Sequence, residues 1–141
     1  MSKTYVFCIL LSSLLFVGCS KDVLKSYENR IIGTWRITDV DRYGIGGSRS
    51  KLPFTSGSFT FNENGTLNYV NDSNETYKGS WQIEKKVVND ETFRSLHITA
   101  IDFTNQEVLS EYYDEMNFTS TDHFRANSNA VYHSYVTHFR R

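Results

Sequence analysis

The amino-acid sequence predicts an all-β protein in which about eight antiparallel strands close into an up-and-down barrel. Three observations support this fold class. Apolar and polar residues alternate along most of the chain after Ile31, polar turn residues separate the alternating segments, and no apolar pattern of helical period extends over ten residues. Because 22% of the 141 residues are charged and only one is proline, we expect one folded domain.

The first 18 residues have the organisation of a secretory signal peptide. Lys3 precedes an apolar stretch over residues 5–17, and Gly18 supplies the small residue at which such peptides are cleaved. The apolar stretch is too short and too well flanked for a stable membrane span.

Phe16–Cys19 resembles the lipobox of bacterial lipoproteins, whose cysteine receives a diacylglyceryl group and becomes the mature amino terminus. The resemblance implies lipidation of Cys19, with palmitate-like acyl chains as the anchor. The alternatives are an uncleaved anchor and a plain signal peptide.

The residues after Cys19 bear on localisation and on the start of the domain. Ser20 stands where lipoproteins retained at the inner membrane of Gram-negative bacteria usually carry aspartate, so the resemblance implies the outer membrane. Ser20–Asp22 also looks like part of a lysine-plus-acid surface-export signal, which leaves both the periplasmic face and the cell surface open. Residues 19–30 form a charged, acylated tether that is expected to end in one helical turn.

The body of the chain, residues 31–141, is a series of short strands. Their apolar positions recur with a period of two, as expected for half-buried strands. In chain order, they contain Trp35 and Ile37, Phe59 and Phe61, Leu67 and Tyr69, Trp81 to Val87, Leu96 to Ala100, Tyr112 to Phe118, Phe124, and Val131 to Arg140. Such strands form either a closed barrel or a small sandwich. Closure is favoured because it removes unpaired edges, and Pro53 is the only proline available to protect one.

The start of the first strand carries a family resemblance. Gly33-Thr34-Trp35 resembles the Gly-x-Trp opening strand of the lipocalin superfamily, and more closely the lipocalin-like domain of small bacterial envelope lipoproteins. Gly57–Thr66 and Tyr77–Ile83 are similar to later strands of that family. The chain departs from the full lipocalin pattern because it shows no long helix after the last strand and no disulfide.

This resemblance implies a structural role for three residues. Gly33 and Trp35 would close one end of the barrel beneath an arginine from the end of the chain. Arg140 or Arg141 could supply that cation, and Arg140 is the residue we assign. An arginine over a tryptophan ring contributes about 0.5–2 kcal/mol.

Charge and cysteine usage exclude several function classes. Lys plus Arg (15) nearly balances Asp plus Glu (16), so the chain lacks the basic surplus that nucleic-acid binding requires. Cys8 and Cys19 both precede the domain, so they form no thiolate metal site within it.

Gly44–Gly47 lacks the helix and the lysine of a phosphate loop. The acidic side chains of Asp114 and Glu115 face opposite ways, unlike a catalytic carboxylate pair. We therefore expect no enzyme and no cofactor.

Histidine spacing gives no local signal for a metal site. No two of the four histidines lie two or four residues apart, and the ordinary interpretation is that they are exposed or hydrogen-bonded in the sheet. A site assembled from distant strands stays open. The four histidines are His97, His123, His133 and His138.

Aromatic residues, 15% of the chain, either line a cavity or fill the barrel. The scarcity of alanine favours a mostly filled barrel, with any ligand at the mouth beside a glycine-rich gate over residues 43–53. The candidate ligand-binding residues are Tyr69, Trp81, Tyr112, Arg49 and Lys51. The sequence thus predicts a non-catalytic binding module for a small hydrophobic or glycan-like ligand or for an envelope protein. The alternative is a structural or accessory envelope protein with a filled barrel and no small ligand.

Overall fold

The computed structural model describes residues 25–141, so the predicted signal peptide, Cys19 and most of the tether lie outside the described residues. The described chain contains one short helix, a 3-10 turn and nine strands. They are α1 (Tyr27–Ile31), β1 (Gly33–Gly44), the 3-10 turn (Arg49–Lys51), β2 (Ser58–Phe61), β3 (Thr66–Val70), β4 (Thr76–Val88), β5 (Glu91–Asp102), β6 (Glu107–Tyr113), β7 (Glu115–Phe118), β8 (His123–Asn129) and β9 (His133–Arg140).

All nine strands belong to one antiparallel sheet, which confirms the all-β prediction. Their order is β6-β5-β4-β3-β2-β1-β9-β8-β7. The sheet is a meander in which the last strand returns to pair with the first, so that β1 lies between β2 and β9. This arrangement places β6 and β7, which are consecutive in the chain, at the two edges of the sheet.

The strand count differs from the expected eight because the predicted strand Tyr112–Phe118 is broken at Asp114. The part before the break belongs to β6 and pairs with β5, whereas the part after it is β7 and pairs with β8. No backbone ladder joins β6 to β7 in the described chain, so the hydrogen-bonded sheet is open at this point. The backbone hydrogen bonds therefore do not close the barrel that the sequence predicts.

One face of the sheet forms a single hydrophobic core, as the period of two predicts. Aromatic rings dominate this core, and they come from seven of the nine strands and from one connection. The buried aromatic side chains are Trp35, Phe54, Phe59, Phe61, Tyr69, Tyr77, Tyr113, Phe124, Tyr135 and Phe139.

A β-bulge in β1 changes which of its residues face outward. Ile37 pairs with Phe139 and Asp39 pairs with His138, so Thr38 is the extra residue. Because directly paired residues share a face, the extra residue reverses the alternation of β1 relative to β9. Asp39 is therefore on the outer face with His138, whereas an unbulged register would have turned it toward the core.

The helix α1 leads into β1 and covers one end of the core. Ser26 caps it, since the Ser26 side chain accepts a hydrogen bond from the backbone N–H of Asn29 at 3.3 Å. Ile31, in its last turn, is fully buried. The ring of Tyr27 packs edge-on against Phe118, with centroids 5.3 Å apart. The helical turn expected at the end of the tether is thus present and packed.

Candidate functional site

Trp35 is fully buried at the α1 end of the core. Its indole N–H donates a hydrogen bond to the carbonyl of Ile31 at 2.6 Å, which satisfies the only polar atom of the side chain. The Trp35 ring packs edge-on against Phe124, with centroids 4.8 Å apart. Trp35 therefore links α1 to β8 through the core.

The cation over Trp35 is Arg141, and not Arg140. The Arg141 guanidinium carbon lies 4.4 Å from the centre of the Trp35 ring. Arg141 also donates hydrogen bonds to the carbonyls of Arg30 and Ile32, both at 2.8 Å. Arg140 instead ends β9 opposite His123 and is exposed. One residue at the end of the chain thus covers the tryptophan and satisfies the carbonyls where α1 ends.

Gly33 begins the strand directly beneath this arginine. Its φ of +118° is a backbone conformation that side chains other than glycine rarely adopt. The nearest atoms to a Cβ placed there would be those of the Arg141 guanidinium, at 3.7 Å. Gly33, Trp35 and Arg141 therefore form one compact group, and its contacts are structural.

The other end of the core is covered by the connection between β1 and β2. Phe54 is buried there, edge-on to Phe59 and Tyr69 at centroid distances of 5.2 and 5.0 Å. The Tyr69 hydroxyl donates to the carbonyl of Ser56 at 3.0 Å, which holds the returning chain against the core. Burial, aided by nearby acidic groups, raises the pKa of Tyr69 to about 12, so its phenol stays neutral.

Rings fill the space between these two ends. Phe124 and Phe139 stack with centroids 4.4 Å apart, and Phe59 stacks on Tyr69 at 4.5 Å. Tyr113 is almost completely buried, and this burial raises the pKa of its hydroxyl. Close contacts of this kind leave a packed interior.

The structure does not bring the predicted ligand-binding residues together. Tyr69 is buried in the core, and Trp81 is at its margin, where the indole N–H donates to the carbonyl of Asn62 at 3.0 Å. Tyr112 faces the other way, because its ladder partner is the exposed His97. The ammonium group of Lys86 donates to the Tyr112 hydroxyl there. These three aromatic residues border no common pocket.

The predicted cationic pair lies on the connection between β1 and β2. Arg49 and Lys51 are exposed residues of the 3-10 turn. The glycine-rich part of this connection is packed against β9 at Gly47, where an added Cβ would lie 2.5 Å from the Tyr135 hydroxyl and 2.8 Å from His133 Nε2.

Two loops at the Phe54 end expose a cluster of large apolar side chains, which we call the loop patch. It consists of Tyr43, Ile45, Val131 and Tyr132, whose exposed fractions are 56%, 86%, 86% and 78%. The backbone N–H of Ile45 donates to the carbonyl of Tyr132 at 2.9 Å and holds the loops together. Exposed apolar residues that the fold brings close together mark interaction sites more often than isolated ones. No local sequence pattern indicates the patch, because its halves are about 90 residues apart in the chain.

A row of hydrogen-bonded polar side chains crosses the outer face of β1, β9 and β8. Asp41 Oδ2 lies 3.1 Å from His138 Nε2, and His138 Nδ1 lies 3.2 Å from His123 Nε2. Thr119 Oγ1 lies 2.7 Å from His123 Nδ1 and completes the row. Burial, together with the positive charge of Arg140, lowers the pKa of His123 below its usual value. We call Asp41, His138, His123 and Thr119 the histidine row.

The histidine row borders a shallow depression of about 220 Å³. Its other lining residues are Thr38, Asp39 and Arg140. The sequence showed no sign of the row, because neighbours on adjacent strands are separated by 15 and 97 residues in the chain. Only the register of the three strands makes them adjacent. Within residues 25–141, no group of three or more His, Cys, Asp or Glu side chains is placed to hold a metal ion.

Comparisons with known proteins found no match to this chain among family models, curated proteins or solved structures. No helix in the described part of the chain has the length and apolar character needed to cross a membrane.

Proposed function

We propose that this chain is a lipid-anchored lipoprotein of the bacterial cell envelope, whose lipocalin-like barrel is a non-catalytic module that binds a neighbouring envelope protein through the loop patch. The observation that carries the proposal is the contrast between an interior filled with aromatic rings and an exposed apolar patch at one end. A partner that covered the patch would remove four large apolar side chains from water.

The proposed barrel is closed. Side-chain contacts across the gap between the edge strands β6 and β7 support this closure. The β6 residue Glu111 is half-buried beside Ser128 of β8, and this burial raises its pKa. At the break, the carboxylate of Asp114 accepts a hydrogen bond from the backbone N–H of Asn129 at 2.8 Å. The two sides of the gap also approach each other, since β5 contacts β7 and β6 contacts β8. We infer a barrel whose backbone ladders are interrupted where one long strand bends.

The direction of β1 places the loop patch at the end of the domain that is farther from the proposed anchor. β1 begins at Gly33, beside α1 and Trp35, and ends at Gly44, next to the patch. Twelve residues of strand span about 36 Å. A tether from an acylated Cys19 would reach the domain at the α1 end, so the patch would face away from the bilayer.

The filled interior argues against a small ligand inside the barrel. Phe54 covers one end, Trp35 with Arg141 covers the other, and stacked rings occupy the space between them. The same observation favours the second candidate function, a structural or accessory protein without a ligand. The loop patch separates the two candidates, because a purely structural role gives no reason to expose four large apolar side chains.

Site-specific photocrosslinking in a bacterial host that makes the full chain tests the proposal. A photoreactive residue at Ile45 or Tyr132 should form an adduct with one envelope protein, and the double change of Tyr43 and Val131 to serine should abolish it. The matched control is the same residue at Val108, which is 61% exposed but lies outside the patch. Equal adducts at Val108, or none at Ile45 and Tyr132, would favour the structural role.

A further inference from the structure

The histidine row brings together two imidazole nitrogens whose spacing suits a metal ion. His123 Nε2 and His138 Nδ1 are 3.2 Å apart on the outer face of β8 and β9. Two nitrogens that bind one ion at 2.0–2.1 Å, with an angle of 90–109° at the ion, are about 2.9–3.4 Å apart. We propose that His123 and His138 form a two-histidine binding site for a divalent transition-metal ion, with Cu²⁺ bound most tightly.

The bulge in β1 and the ladder of β8 with β9 create this site. His138 pairs directly with Arg125, and His123 lies diagonally across from it on the same face. The bulge brings Asp41 to this outer face, where it reaches His138 from the other side. Bulges commonly redirect side chains next to functional sites.

The outer nitrogen of each ring already has a hydrogen-bond partner. Asp41 accepts from His138 Nε2–H, and Thr119 Oγ1 lies within hydrogen-bond distance of His123 Nδ1. Metal-binding histidines almost always use their second nitrogen in this way, because the outer partner fixes the ring orientation and the tautomer. In the metal-free row, His123 Nε2 carries the proton that bonds it to His138 Nδ1, because His138 holds its own proton on Nε2 toward Asp41. Metal binding therefore requires the His123 proton to move to Nδ1, where Thr119 Oγ1 can accept it. Both inner lone pairs are then available to one ion.

The type of donor and the surrounding charges determine the class of ion. Imidazole suits Cu²⁺, Ni²⁺ and Zn²⁺, and affinity for nitrogen donors is greatest for Cu²⁺, whereas Mg²⁺ and Ca²⁺ require oxygen donors. Asp39 and Asp41 lie on the same face as Arg125 and Arg140, so carboxylates oppose the positive charges that would repel a cation. The depression of about 220 Å³ leaves room for water at the remaining coordination positions.

The test is a Cu²⁺ titration of the full chain, purified in detergent after EDTA treatment, without a histidine tag, and with Cys8 and Cys19 changed to serine. Electron paramagnetic resonance should show one bound Cu²⁺ with coupling to two imidazole nitrogens, and Mg²⁺ should not compete. H123Q and H138Q should each weaken Cu²⁺ binding at least tenfold. The matched control is the double variant H97Q/H133Q, which keeps the number of histidines in the row and should bind within about twofold of the parent.

Asp41 is a positioning residue for His138, and its variant has a separate readout. D41N should weaken Cu²⁺ binding by about tenfold or more while the two-nitrogen spectrum is unchanged, because the ligands stay and only the support of one ring is lost. Circular dichroism of each variant checks that the sheet is intact. The proposal is overturned if the titration shows no stoichiometric Cu²⁺ binding, or if the binding survives H123Q and H138Q.

Discussion

Trp35 is the residue on which most of the α1 end depends. It has no solvent exposure, and it contacts α1 through its indole N–H and Arg141 through its ring face. Its substitution by alanine should lower the free energy of unfolding by about 3–5 kcal/mol, the usual cost of removing a large buried aromatic. Denaturant titration followed by circular dichroism measures this change. A loss below about 1 kcal/mol would contradict the burial of Trp35.

Arg141 provides a prediction with a matched neighbour. R141A removes a cation from the Trp35 ring and leaves the carbonyls of Arg30 and Ile32 without their donor, so it should destabilise the domain by about 1–3 kcal/mol. R140A removes an exposed cation at the adjacent position and should change stability by less than about 0.5 kcal/mol. Thermal or denaturant unfolding compares the two. Equal effects would mean that the cation over Trp35 contributes nothing specific.

The connection between β1 and β2 packs over one end of the core and is not a free loop. Its glycines suggested a gate over residues 43–53, and that role stays a prediction. The segment just beyond it returns to the core through Phe54, which touches two rings, and through Ser56, which accepts from Tyr69. A connection fixed by such contacts is expected to open less readily than its glycine content alone suggests.

Phe54→Ala tests this cover. It should lower the free energy of unfolding by about 3–5 kcal/mol and leave an apolar cavity beside Phe59 and Tyr69. Because such cavities stay dry and accept small apolar molecules, benzene should raise the melting temperature of F54A and not that of the parent. Ile45→Ala, in the same connection but 86% exposed, is the control and should leave stability unchanged. An effect of F54A no larger than that of I45A would contradict the cover.

For the whole molecule, the proposed lipid anchor determines where the domain is held in the cell. The proposed acyl anchor is at Cys19, and no helix of the described chain is suited to span a membrane. Two or three acyl chains bind a bilayer stably, since each buried methylene contributes about 0.8 kcal/mol. Cys19→Ser should therefore move the protein from the membrane fraction to the soluble envelope fraction, or block its processing. Cys8→Ser is the control and should have no effect. Unchanged membrane partition of the Cys19 variant would contradict the lipoprotein proposal.

The sequence by itself determined the class of fold and most of the strands, because the period of two is a local property of each segment. It also indicated Trp35 as a structural residue through a short motif. It could not choose between Arg140 and Arg141, because neighbours in the chain point to different places and only the packed end shows which one covers the ring.

Tertiary structure alone decided which distant residues meet. The break at Asp114 gives two edge strands, the bulge at Thr38 turns Asp39 and Asp41 outward, and the return of β9 to β1 brings the halves of the loop patch together. The histidine row has the same origin, since register across three strands determines which side chains share a face. A one-residue shift in that register would move these side chains to the opposite face, and no local pattern in the sequence specifies it.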